Sequence, residues 1–212
     1  MQNDSEDAYS LEFRHLIDGL EDHFEAGFRN RIDEINDRLS SAASDGLLIH
    51  SFLERVALKK KLPRLVGTQS FMMYAGDAFD IRINAWYPEQ DKLAALRTQL
   101  DRYYSYNVLH NHNFHLFTVG LLGTGYQSNF FRCDDYAEQY SVGDRIELRK
   151  SAFVQLSRGV ARYIESELEF HVQFRPNEYS MSLNVVPNKP EDQAGRQYIL
   201  DPESFAVRSV IE

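Results

Sequence analysis

Cysteine is almost absent from this chain. Cys133 is the one thiol in 212 residues, so an internal disulfide is excluded, which fits a reducing compartment. Its anionic neighbours Asp134 and Asp135 raise a thiol pKa and argue against a nucleophile. Long apolar runs are missing too. No stretch approaches the roughly 20 residues a membrane helix needs. The opening residues Met1 to Asp7 are acidic and lack the basic-then-apolar order of a signal peptide. The expectation is a soluble cytoplasmic protein with no membrane partner. Positive charge is scarce: 23 Lys and Arg stand against 32 Asp and Glu, a formal charge of −9. That is the wrong sign for a face that meets phosphates, so no nucleic-acid partner is expected. The one basic cluster, Lys59-Lys60-Lys61, reads as a solvated helix end. A P-loop, a G-x-G-x-x-G turn opening a helix and a G-x-S-x-G elbow are all lacking. Gly123-Thr124-Gly125 leads from one strand into another. No internal repeat or low-complexity tract appears.

Aromatic residues, by contrast, are plentiful. The 14 Phe and 12 Tyr favour strands. Hydrophobic spacing follows two regimes. From Leu11 to Leu39 apolar residues recur mostly every three or four positions, which predicts one long helix ended by the small, polar stretch 40–46. A second helix is expected over about 47–61, stopped by Pro63. Residues 1–66 thus read as a helical arm, frayed over 1–8. After Gly67 the period becomes two: Phe79, Ile81, Ile83 and Ala85 alternate with Asp80, Arg82, Asn84 and Trp86. Residues 89–104 read as a helical insertion. Strands are expected over 106–112, 116–122 and 126–132, then near 145–149, 152–156, 160–165, 168–174 and 180–186, with one or two more in the tail. Many short strands behind a helical arm predict a mainly β fold, a double-sheet jelly-roll barrel over 67–212 that encloses a small cavity.

Histidines mark a candidate site in that barrel. Three of the seven fall within His110-Asn111-His112-Asn113-Phe114-His115. Residues two apart on a strand share a face, so His110 and His112 throw two imidazoles to one side, half of a metal site. His171 alternates with Phe170 and Val172 and projects opposite to them, toward the cavity. Three neutral imidazoles leave about half of an octahedral iron open, but zinc, copper, nickel or manganese also accept imidazole, so the spacing does not choose the metal. His115 is out of phase with the pair. It either hydrogen-bonds a ligand or substrate, or plays no part in the site. Arg82 is either a cavity-facing anion anchor, whose guanidinium holds a carboxylate through two bonds, or half of a surface ion pair. Ser182 and Asn184 share one face and either line the cavity or satisfy edge backbone. Gln173 and Arg175 are in phase with His171.

The order of these features resembles the cupin superfamily of double-stranded β-helix proteins, and within it the cysteine dioxygenases and related thiol dioxygenases. The resembling block runs from Phe79 to Pro187. It is carried by Leu109-His110-Asn111-His112, the strand and turn Leu116 to Gly125, Gly159 to Ile164, His171, and Ser180-Met181-Ser182-Leu183-Asn184. The resemblance implies Fe(II) at His110, His112 and His171, with O2 as co-substrate and an amino acid or thiol derivative as the metabolite oxidised. The usual cupin glutamate falls at Leu116 or Phe117, which favours a three-histidine site. The family's crosslinked cysteine and tyrosine correspond to Leu116 and Val186, so no thioether is expected. Its Ser-x-His-x-Tyr series reads Ser182-Leu183-Asn184-Val185-Val186, keeping the serine alone. A 2-oxoglutarate oxygenase fits less well, because His112 stands where H-x-D/E needs an acid. A cavity holding a divalent ion is net positive, so the small-molecule partner is expected to be anionic or zwitterionic. Two other classes remain open: a cupin sensor or binding module, and a non-redox isomerase or lyase in which the metal polarises a carbonyl. A homodimer is compatible with the sequence.

Overall fold

A computed structural model describes residues 10–59, 64–88, 101, 105–136, 139–192 and 195–211. The expected frayed start, the Pro63 stop and nearly all of the expected insertion at 89–104 lie outside the described residues.

The long first helix expected from spacing is two helices. α1 (Leu11–Glu25) and α2 (Ile32–Ser44) are separated by a 3-10 turn at Phe28–Asn30. Gly27 makes the break: its φ of 92° takes the chain out of helical geometry, a conformation open to glycine. The apolar period runs on through the break because Phe24, Phe28 and Ile35 all face the same core. Ser10 caps α1, its hydroxyl accepting from the Phe13 N–H at 3.3 Å. α3 spans Leu47–Lys59.

The strands are β1 (Ser70–Ala75), β2 (Phe79–Trp86), β3 (Leu109–Asn111), β4 (Leu116–Leu122), β5 (Gln127–Arg132), β6 (Arg149–Gln155), β7 (Ala161–Ile164), β8 (Glu169–Phe174), β9 (Ser180–Pro187), β10 (Gln197–Leu200) and β11 (Val207–Ile211). One sheet runs β1-β2-β9-β4-β7 and the other β11-β10-β3-β8-β5-β6. Taken alone, β2 to β9 divide between the sheets in the orders β2-β9-β4-β7 and β3-β8-β5-β6, with the consecutive pair β5 and β6 in one sheet. This is the antiparallel connectivity of an eight-stranded jelly roll, as expected. β1 was not foreseen. The strand expected near 145–149 is instead irregular chain with one bridge, Arg145 to Ala206.

Alternation decides what each face meets. Ile81, Ile83, Phe117, Val119, Leu183 and Val185 point outward from the first sheet and are fully buried under the helices, against Leu20, Ile35 and Leu39. Arm and barrel therefore share one core. The outer face of the second sheet buries Leu109, Phe170 and Val172 with Tyr198, Leu200 and Val207. The intervening positions of both sheets turn inward, and there polar side chains such as Arg82, Asn84, Asn184 and Gln173 stand among a few apolar ones such as Trp86 and Val186. No described helix is long and apolar enough to cross a membrane.

Candidate metal centre

His110 and His171 are direct cross-strand partners on β3 and β8, with Phe130 of β5 opposite His171 on its other side. His112 lies just past the end of β3. Its Nε2 is 3.1 Å from His171 Nε2, which is 3.2 Å from His110 Nε2, and all three nitrogens lie within 4.8 Å of one another. Metal–imidazole bonds of about 2.1 Å at right angles set adjacent nitrogens about 3.0 Å apart. The two short separations match that edge.

Proton positions point the same way. His110 Nδ1 is 2.9 Å from the Val108 carbonyl. A carbonyl can only accept, so Nδ1 carries the proton and Nε2 presents a bare lone pair. His171 Nε2 then stands between two other nitrogens and has at most one proton. Protons satisfy only one of its two contacts, whereas one cation satisfies both. Extra protons are disfavoured. Burial lowers the pKa of His110 and, with the neighbouring imidazoles, that of His171, and it brings His112 down to about 3. Three neutral, convergent imidazoles, two buried and one half-buried, are a donor set that fits a divalent ion, and among the described residues no other cluster of this kind occurs.

His110 and His112 border a cavity of about 150 Å³. Arg82, Asn184 and Gln173 line it, as the inward reading of the sequence anticipated, together with Asn84, Trp86 and Tyr126. Arg82 gives an N–H to Asp80 Oδ2 at 2.9 Å, yet its Nε is buried with no partner. Ser182 sits behind this lining and accepts from Trp86 Nε1 at 2.9 Å. Tyr126 bonds Thr118 and Gln173 and packs 4.2 Å from the Trp86 ring. Burial pushes its phenol up to about 12, so it stays protonated. Beneath His171, Phe130 stacks on the imidazole at 5.3 Å, and Arg162 lies 3.9 Å from the other ring centroid while pairing with Glu169 at 2.6 Å.

Two of the candidate residues lie away from the cavity. His115 is not beside the other histidines. β4 begins at Leu116, and His115 shares the helix-facing side with Phe117. There it stacks with Tyr163, meets Phe28 edge-on, and accepts the Ser166 N–H at Nδ1. Arg175 leaves the cavity to pair with Asp101 at 2.9 Å over the Tyr106 ring.

No family model and no curated protein matches the sequence. Solved structures with a similar barrel include a hydroquinone 1,2-dioxygenase from a Sphingomonas species with 4-hydroxybenzoate bound. It is 10% identical, with 59% of this chain and 68% of that one covered, at a TM-score of 0.39. A cupin domain from Bordetella pertussis is 13% identical, with 61% and 98% covered, at 0.33. The DMSP lyase DddQ from Ruegeria pomeroyi is 10% identical, with 66% and 61% covered, at 0.34. The chain spans under two thirds of two lyase chains that it matches, 46% and 61%. These similarities concern the barrel, so the site is read from its own residues.

Proposed function

We propose that this chain is a metal-dependent cupin enzyme that holds one Fe(II) at His110, His112 and His171 and oxidises a small anionic or zwitterionic metabolite with O2. The observation that carries the reading is the convergence of three neutral Nε2 atoms, one with its tautomer fixed by Val108, beside a small cavity that His110 and His112 line. Three imidazoles would leave part of the coordination sphere of a bound ion free, and Fe(II) held there would supply the redox chemistry for oxygen and substrate.

The protein supplies orientation. Arg82 uses one donor on Asp80 and keeps its Nε and remaining N–H groups for a substrate carboxylate. Trp86, Tyr126 and Phe114 supply aromatic surface to the cavity lining. Phe114 also packs on His112 with ring centroids 4.7 Å apart, which holds that imidazole in place beyond the strand end. Phe130 does the same for His171.

The test is anaerobic loading with Fe(II), metal analysis, and oxygen uptake with a panel of small carboxylic acids bearing thiol, amine or hydroxyl groups. The expected result is close to one iron per chain and uptake that depends on one member of the panel. Iron bound with substrate conversion but no oxygen uptake would replace oxidation by isomerase or lyase chemistry. Iron bound with no conversion would make the chain a binding module.

A further inference from the structure

The cavity that the metal-centre reading uses has a peculiar lining: among the described residues it includes no Asp or Glu. Its two asparagines are oriented by their neighbours. Ser70 Oγ lies 2.5 Å from Asn84 Oδ1, and Thr118 Oγ1 lies 2.6 Å from Asn184 Oδ1. Separations that short belong to O–H···O bonds, about 2.5–3.0 Å, more than to N–H···O bonds, about 2.7–3.2 Å. The atom facing each hydroxyl is therefore the amide oxygen. At Asn184 a chain of donors agrees. Trp86 Nε1–H can only donate. It occupies Ser182 Oγ at 2.9 Å, and that hydroxyl's own proton goes to Asn184 Oδ1 at 3.5 Å. Thr118 gives its proton to Asn184.

With both amide oxygens committed, the group each asparagine has left for a ligand is Nδ2–H. Arg82 and Asn184 are register partners on β2 and β9, and Asn84 follows two residues along the same face of β2. Arg82 Nε lacks a partner. The result is a wall of N–H donors across the cavity from His110 and His112. One neutral acceptor, Gln69 Oε1, is buried there without a partner.

Resting on the metal-centre reading, we propose that this wall grips the carboxylate of a small acid whose second polar group is neutral, a hydroxy or mercapto acid, and disfavours α-amino acids. A hydroxyl or thiol finds Gln69 Oε1 or the metal. An ammonium finds no carboxylate in the lining and is repelled by Arg82 and by the divalent ion, so the amine must shed its proton to enter. The volume, about 150 Å³, is well under the ~300–1,000 Å³ of drug-sized pockets and suits an acid of a few carbons.

L-Lactate and L-alanine share a carbon skeleton and differ in this one group. Each is titrated calorimetrically into Zn(II)-loaded and into metal-free protein, with metal content measured on the same samples. Lactate should bind the zinc form about tenfold or more tightly than alanine, a factor of ten for each pH unit of amine deprotonation, and should keep its preference without metal. Asn184→Asp should abolish lactate binding with metal content unchanged. Thr118→Val, which frees the amide to turn, should weaken lactate several-fold. Failure to take up zinc would refute the metal centre alone, because the metal-free titrations still decide the wall. Alanine binding as tightly as lactate, or both variants binding lactate like the parent, would overturn the proposal.

Discussion

Replacing Arg82 by Lys separates charge from geometry at the substrate wall. The guanidinium bonds Asp80 Oδ2 at 2.9 Å, while Asp80 Oδ1 is held independently by Asn188 Nδ2 at 2.9 Å. The Arg82 side chain is 28% exposed and that of Asp80 12%, so this is a largely desolvated pair that a lysine ammonium can maintain. What lysine cannot reproduce is the fork: a point charge satisfied by Asp80 has no second, parallel N–H to offer. The loss is one charge-assisted hydrogen bond, about 1.5–3 kcal/mol, or roughly a 10- to 150-fold rise in KM. The measurements are steady-state kinetics on the identified substrate, metal content, and a denaturation curve. Metal content should be unchanged, and stability should move by less than about 1 kcal/mol because the ion pair survives. Unchanged KM and kcat in Arg82→Lys, with Arg82→Ala also kinetically silent, would mean that the side chain serves Asp80 alone.

Other outcomes follow from the same geometry. His115→Ala should keep full metal content but lose about 1–3 kcal/mol of stability in chemical denaturation, since it strands the Ser166 N–H and unpacks Tyr163 and Phe28. Leu39→Ala, at a fully buried seam between α2 and the first sheet, should cost about 2–5 kcal/mol and shift arm and barrel together in one transition; two separate transitions would contradict the shared core. Metal-free protein should lose stability as pH falls below about 6.5, the ordinary histidine pKa. The folded pKa values of His110, His112 and His171 are lowered, so the unfolded chain binds more protons in that range. Each histidine contributes up to about 1.4 kcal/mol per pH unit, for His112 down to about pH 3. Urea midpoints measured from pH 7 to 4 in chelator check this, and a flat profile would show that these imidazoles are solvated.

Period-two spacing made the barrel legible. The alternation Phe79 to Trp86 is β2, and its polar positions do face inward. H-x-H and His171 were readable because strand geometry fixes which side chains share a face, and register then pairs His110 with His171. Fine placement was less accessible. His115 is out of phase with the pair as its spacing implied, but β3 is three residues long and the chain turns before β4, so the sequence left open what its imidazole meets. Gly27 breaks a helix whose apolar period never lapses. Thr118 did carry a signal, a lone hydroxyl in the apolar strand Leu116 to Leu122, but its role appears only when β9 brings Asn184 alongside. Tyr126 and Asp80 act through partners distant in sequence, which a local pattern does not reveal.

Metal stoichiometry across single histidine variants bears most directly on the centre. Purified protein is loaded anaerobically with Fe(II), desalted, and analysed for metal by mass spectrometry, beside His110→Ala, His112→Ala, His171→Ala and His115→Ala. The parent and His115→Ala should hold close to one ion per chain, and each of the other three should lose most of it. If the parent takes up no ion, or if His115→Ala empties the site while His110→Ala fills normally, the three-histidine centre is wrong.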